Sequence, residues 1–194
     1  MGMFAFSRRE VKDILISVLV LSFVFAYPEI IYQPAFFLFS LLTVGIAFMG
    51  HELSHRFVAR RRGFFSEYRM WPQGLLFALI LAFASNGSFI FAAPGAVIFS
   101  SYWVFRQPGL EDIGKIGIAG VVFNITLLYI FTLSYLLTGI SVLAFAGLIN
   151  GWLAIFNLIP FGPLDGRKVM RWNWKAWLTA IILAIIGFVI LSVF

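Results

Sequence analysis

His51-Glu52-Leu53-Ser54-His55 lies near the end of an apolar run, Ala35 to Val58, whose length and composition predict a membrane-spanning helix. The chain has two histidines, and both are in this stretch. On a helix, positions four apart share one face, with Cβ atoms about 5–6 Å apart. Two imidazoles so placed can hold one Zn²⁺ at about 2.0–2.1 Å each. Glu52, next to the first of them, can take the proton from a water that the metal activates. One zinc ion per chain is the cofactor this pattern predicts, with His51 and His55 as ligands and Glu52 as catalytic base.

The rest of the composition fits a membrane setting. Of 194 residues, 62% are hydrophobic and 11% charged, with a mean hydropathy of +1.00. A soluble domain is nearer one quarter charged. The absence of cysteine excludes disulfides, thiolate zinc sites and cysteine nucleophiles together. The net charge of +6 does not point to nucleic acid, because the cations sit at the ends of apolar runs and follow membrane topology.

Five spans are expected: 14–27, 35–58, 116–137, 142–159 and 176–193. The first follows Arg8, Arg9 and Lys12 like a secretory signal, but no small-x-small cleavage site follows it. Between the second and third spans, Leu75–Ser85 and Ser88–Phe99 flank Asn86-Gly87, a hairpin signal since both turn positions want φ > 0. The expectation is a re-entrant β-hairpin that enters and leaves on the cytoplasmic side, with a short helical hairpin as the alternative. All fourteen Lys and Arg then fall inside, and the outer loops keep Glu29 alone. The predicted fold is an all-α polytopic protein of the cell membrane, one domain over 1–194, with a cytoplasmic N-terminus and the histidines toward the inner leaflet.

Two histidines leave a catalytic zinc one protein ligand short. The carboxylates on the cytoplasmic side are Glu67, Glu111, Asp112 and Asp165, with Glu10 and Asp13 nearer the N-terminus. Most sit beside cations in link segments. Asp165 follows a helix end broken by Pro160 and Pro163, at interface depth, where an ionisable group marks a functional site by default. An Asp-Gly turn ending the span is the plain alternative. Gly117, Gly120 and Asn124 lie near one face of the third span, and Gly147 and Gly151 are four apart in the fourth; such residues pack helices closely.

Taken together, these residues resemble the site-2 protease family, the zinc intramembrane proteases of the peptidase M50 group. His51 through His55 is similar to its first motif, Asn157 through Asp165-Gly166 to its Asn-x-x-Pro…Asp-Gly motif, and Gly120 with Asn124 to its intervening helix. The resemblance covers roughly residues 35–170. It implies a three-helix catalytic core from the second, third and fourth spans, and zinc on His51, His55 and Asp165. It also implies membrane-associated strands between the first two core helices and a transmembrane helix of another protein as substrate. Asn157, and less so Asn124, are candidates to bond the developing oxyanion or the substrate backbone. The chain departs from the family in having no room for a PDZ domain, and in ending on a span where some relatives carry a CBS domain. Competing readings are a membrane zinc protease of another family, cutting soluble peptides with Glu67 as third ligand, and a zinc-binding membrane protein without proteolytic activity. A transporter should show internal repeats with paired broken helices, and the chain has one broken helix and no repeat.

Overall fold

The computed structural model describes residues 6–101 and 107–193; Arg106, counted above among the cytoplasmic cations, lies outside them. Seven α-helices and one two-stranded sheet make up these residues: α1 Arg8–Ala26, α2 Phe36–Arg61, β1 Phe64–Met70, α3 Pro72–Ala84, β2 Gly95–Ser101, α4 Leu110–Thr138, α5 Ser141–Asn157, α6 Asp165–Trp172 and α7 Trp174–Val193. Three helices, α2, α4 and α7, are long and apolar enough to cross a membrane; α3 and α5 are shorter apolar helices. α1 opens with Arg8, Arg9, Glu10, Lys12 and Asp13, so its apolar run is confined to its later turns. The outward face of α7 exposes Ile182, Ile186 and Val189, as expected of a helix in contact with lipid.

α4 is the central element, packed against α2, α5, α6 and α7, and α2 also meets α5. The second, third and fourth expected spans thus form one three-helix unit. The small residues of α5 admit α7: a Cβ on Gly147 would lie 2.4 Å from Leu191 Cδ2, and one on Gly151 2.8 Å from Phe188 Cδ2.

The expected strand pair of 75–85 and 88–99 is not what forms. Residues 72–84 are helical, and the sheet pairs β1 with β2, antiparallel from Phe64↔Ser101 to Met70↔Gly95. An apolar run of this length has no periodicity that separates strand from helix. Here Pro72 opens the helix, and Leu and Ala, strong helix formers, fill its turns. Asn86 (φ 50°) and Gly87 (φ 76°) do adopt the left-handed region, but they end α3, with Gly87 N–H donating to Ala82 O at 2.8 Å. The loop nevertheless leaves and returns at one level, since Met70 and Gly95 are register partners. Its tip reaches the end of α1: a Cβ on Gly87 would lie 2.4 Å from Tyr27 O.

β1 falls where a basic link was expected. Its inward positions are Phe64, Ser66 and Tyr68, and the buried serine spoils the apolar alternation that marks a strand. A polar stripe on α1 holds β1 in place. Glu10 Oε1 accepts Tyr68 N–H at 3.0 Å and pairs with Arg56 Nη1 at 2.9 Å, Ser17 bonds the Tyr68 hydroxyl at 2.8 Å, and Ser7 donates to Glu67. Burial works against the Glu67 carboxylate, but hydrogen bonds from Ser7 and Arg69 outweigh it and hold the group below the ordinary carboxylate range. The Arg56→Met variant would leave Glu10 buried without its cation. The expected cost is about 3–5 kcal/mol, read as a lower thermal midpoint in detergent, with most of the loss recovered in Glu10→Gln/Arg56→Met.

Candidate metal centre

One helical turn of α2 aligns His51 and His55, both buried, with their Nε2 atoms 2.9 Å apart. Across the cavity, the first residue of α6 brings in a carboxylate: Asp165 Oδ2 lies 3.2 Å from His51 Nε2 and 2.8 Å from His55 Nε2. Among the described residues, His51, His55 and Asp165 are the one group of three or more ligating side chains able to share an ion. A tetrahedral ion with bonds of about 2.0–2.1 Å spaces its ligand atoms about 3.3 Å apart. The observed triangle is slightly tighter than that.

The hydrogen bonds behind the imidazoles sharpen the case for a cation. His51 Nδ1 faces Asn124 Oδ1 at 2.5 Å, and His55 Nδ1 faces the Ile116 carbonyl at 2.6 Å. Both partners are acceptors, so each ring carries its proton on Nδ1 and turns a lone pair on Nε2 to the centre. Asn124 cannot flip, because its Nδ2 donates to Ala47 O at 3.0 Å and to Asn150 Oδ1 at 2.9 Å. Asn150 is itself held by donating to Ala146 O at 2.9 Å. Two lone pairs and a carboxylate oxygen aimed at one point repel one another unless a cation joins them. The donor set of two imidazoles and one carboxylate suits zinc.

Gly120 of α4 makes this closeness possible. A Cβ there would lie 2.5 Å from His55 Nε2 and 2.7 Å from His51 Nε2. Gly166 does the same for Asp165, since a Cβ on it would meet Leu158 O at 2.1 Å and push α6 away from the end of α5. Lys168, one turn along α6, donates from Nζ to Asp165 Oδ1 at 2.8 Å. Burial pulls the Lys168 ammonium down, but the Asp165 carboxylate outweighs it and holds the pKa above the ordinary lysine value.

Glu52 is buried, and its Oε2 has no hydrogen-bond partner. It lines a cavity of about 400 Å³ together with His51, His55, Asp165, Lys168, Asn157 and residues 95–99 of β2. Asn157 ends α5 and donates from Nδ2 to its own helix at Leu153 O, 2.9 Å away. Asn124 is behind His51 rather than in the cavity wall. The other carboxylates weighed as third ligand are engaged elsewhere: Glu67 with Ser7 and Arg69, Glu111 with Lys115, Asp112 with Arg62, Glu10 with Arg56, and Asp13 with Arg69 at 3.8 Å.

Sequence reasoning did not find Asn150 or Lys168. Asn150 carries no signal short of the tertiary structure. Lys168 had one, a cation three residues after Asp165 on a helix. The Asn124→Leu variant is expected to weaken zinc by about 10- to 100-fold, measured by competition with a chromophoric chelator.

No protein-family model and no solved structure matches the chain. A protein of Methanocaldococcus jannaschii named "putative zinc metalloprotease" is 41% identical over 201 aligned residues, covering the whole of both chains. Identity at that level from end to end makes this chain a member of the same family, that of a zinc metalloprotease.

Proposed function

We propose that this chain is an intramembrane metalloprotease of the site-2 type, which hydrolyses a peptide bond within or near a transmembrane segment of another protein. The observation that carries the reading is the meeting of His51, His55 and Asp165 in one cavity beside the unpartnered carboxylate oxygen of Glu52. In this reading α1 and α5 cross the bilayer along with α2, α4 and α7. The N-terminus is then cytoplasmic and the cavity lies toward the cytosolic face of the cell membrane, as the distribution of cations suggests.

Zinc, when bound by the three side chains, supplies Lewis acidity toward water and the scissile carbonyl. Glu52 takes the proton of the attacking water and passes it to the leaving amine, a role open to a carboxylate that is not committed to a cation or a hydrogen bond. Asn157, on the cavity wall, is placed to bond the substrate backbone once its amide leaves Leu153. A helical substrate hides its peptide bonds in its own ladder and must be unwound locally. β2 offers a partner for the extended segment by strand addition: Glu10 occupies an N–H of β1 on the α1 side, while residues 95–99 of β2 face the cavity. Substrates with Gly or Pro near the cut should open at the lowest cost.

The test is zinc per chain in wild type and in Asp165→Asn, with cleavage of a single-span substrate in liposomes. One zinc in the wild type, clearly less in the variant and cleavage by the wild type alone are expected. Full zinc in both would free Asp165 from the metal and return Glu67 as the candidate.

A further inference from the structure

The reaction as proposed uses one oxygen of Asp165 and leaves a neighbouring half-buried cation without a task. Asp165 Oδ2 is the oxygen near both imidazoles, and Oδ1 is taken by Lys168 Nζ at 2.8 Å. The lysine cannot easily leave. Its stem runs over α4 at Gly117, where a Cβ would lie 3.1 Å from Lys168 Cβ and 3.4 Å from Cδ, so glycine leaves a groove for the stem. Its head lines the same cavity as Glu52 and Asp165.

A carboxylate on a metal binds through one oxygen or through two. Two imidazoles and one oxygen leave a fourth tetrahedral position open, as catalysis needs. A second oxygen from Asp165 would crowd it, and with water also bound there it would make the ion five-coordinate. We infer that Lys168 is a positioning residue that, by holding Oδ1, keeps Asp165 a one-oxygen ligand and the fourth coordination position free. The inference rests on the metal reading above. It explains why a cation lies beside a metal site where charge alone would oppose it: the ammonium is directed at the oxygen that must not bind.

The experiment uses the full chain in detergent, stripped of metal and refilled with Co²⁺, as wild type, Lys168→Met and Lys168→Arg. Met keeps the stem and removes the donor, and Arg restores a donor. Visible absorption reports coordination number, because four-coordinate Co²⁺ absorbs far more strongly than five-coordinate. The expected result is one cobalt in every form, with strong bands in wild type and Lys168→Arg and weakened bands in Lys168→Met. kcat should fall in Lys168→Met by about 10- to 100-fold, with KM for a single-span substrate little changed. If Lys168→Met does not fold, Lys168→Leu, which also lacks a donor, serves in its place. An unchanged spectrum in the folded neutral variant overturns the inference, as does loss of cobalt from it, which would make Lys168 a support for binding itself. Failure of the wild type to take up one metal ion would instead overturn the metal reading.

Discussion

Glu52→Gln is expected to stop proteolysis while leaving zinc in place. Glutamine has the shape of glutamate but cannot accept a proton at neutral pH, and positioned general acid–base catalysis contributes about 10²- to 10⁴-fold. The atoms able to share an ion belong to His51, His55 and Asp165, so metal content should stay at the wild-type value. Folding should not suffer. Glu52 Oε2 is buried without a hydrogen-bond partner, and an ionised group so placed costs stability. The thermal midpoint of Glu52→Gln should therefore equal or exceed that of wild type. A fall in cleavage with zinc and stability intact would identify a group kept for chemistry at the expense of the fold. Near-normal cleavage would remove Glu52 from the mechanism, and loss of zinc would give it a structural role.

Gly120→Val is expected to have the second large effect, through a different route. The two imidazoles stand against the backbone of α4, and a Cβ at position 120 would come within 2.5 Å of His55 Nε2 and 2.7 Å of His51 Nε2. The rings have little freedom to retreat, because their Nδ1 atoms are bonded to Asn124 and Ile116 of the same helix. Either the helices part or the imidazoles turn, and both separate the ligands. Zinc affinity should fall by about 100-fold, the upper end of what lost support for ligands costs. Gly45→Ala is the control: its Cβ would meet Val18 Cγ1 at 3.9 Å, an ordinary contact, and zinc should be retained. Zinc retained in Gly120→Val would mean that the metal does not sit between these rings.

The two variants separate the parts of the site. Glu52→Gln tests chemistry in an intact metal centre, and Gly120→Val tests whether the centre is where the ligating atoms meet. Zinc lost from Gly120→Val but kept in Glu52→Gln, with both inactive, supports the assignment as a whole.

Much of the site was legible in the sequence because it rests on local rules. His51 and His55 are four apart on one helix, and helical geometry alone makes them neighbours. Asp165 was singled out by the prolines before it and by its depth. The three-helix unit of α2, α4 and α5 was expected from the resemblance to the site-2 protease family, on spans read from the apolar runs. The elements that were misread are those whose local signal is silent or misleading. An apolar run beginning at Leu75 suits a buried strand as well as a helix. In β1 an inward Ser66 hid the alternation. Its partner β2 lies 25 residues or more away along the chain, so no local pattern announces the pair.

What this sequence determined by itself is therefore its strongly apolar character, the helical turn that pairs His51 with His55, and the short list of carboxylates weighed as a third ligand. Tertiary structure brought Asp165, out of that list, to the two histidines. Asp165 is next to the histidines because α6 packs on α4, and Gly166 lets it approach the end of α5. Gly120 clears space for the two rings, and Asn124 and Asn150 set the tautomer of His51. Each of these contacts joins residues on different helices or depends on how two helices meet. Their free energy comes from packing and hydrogen bonds across the core, which a reading of neighbours along the chain does not contain.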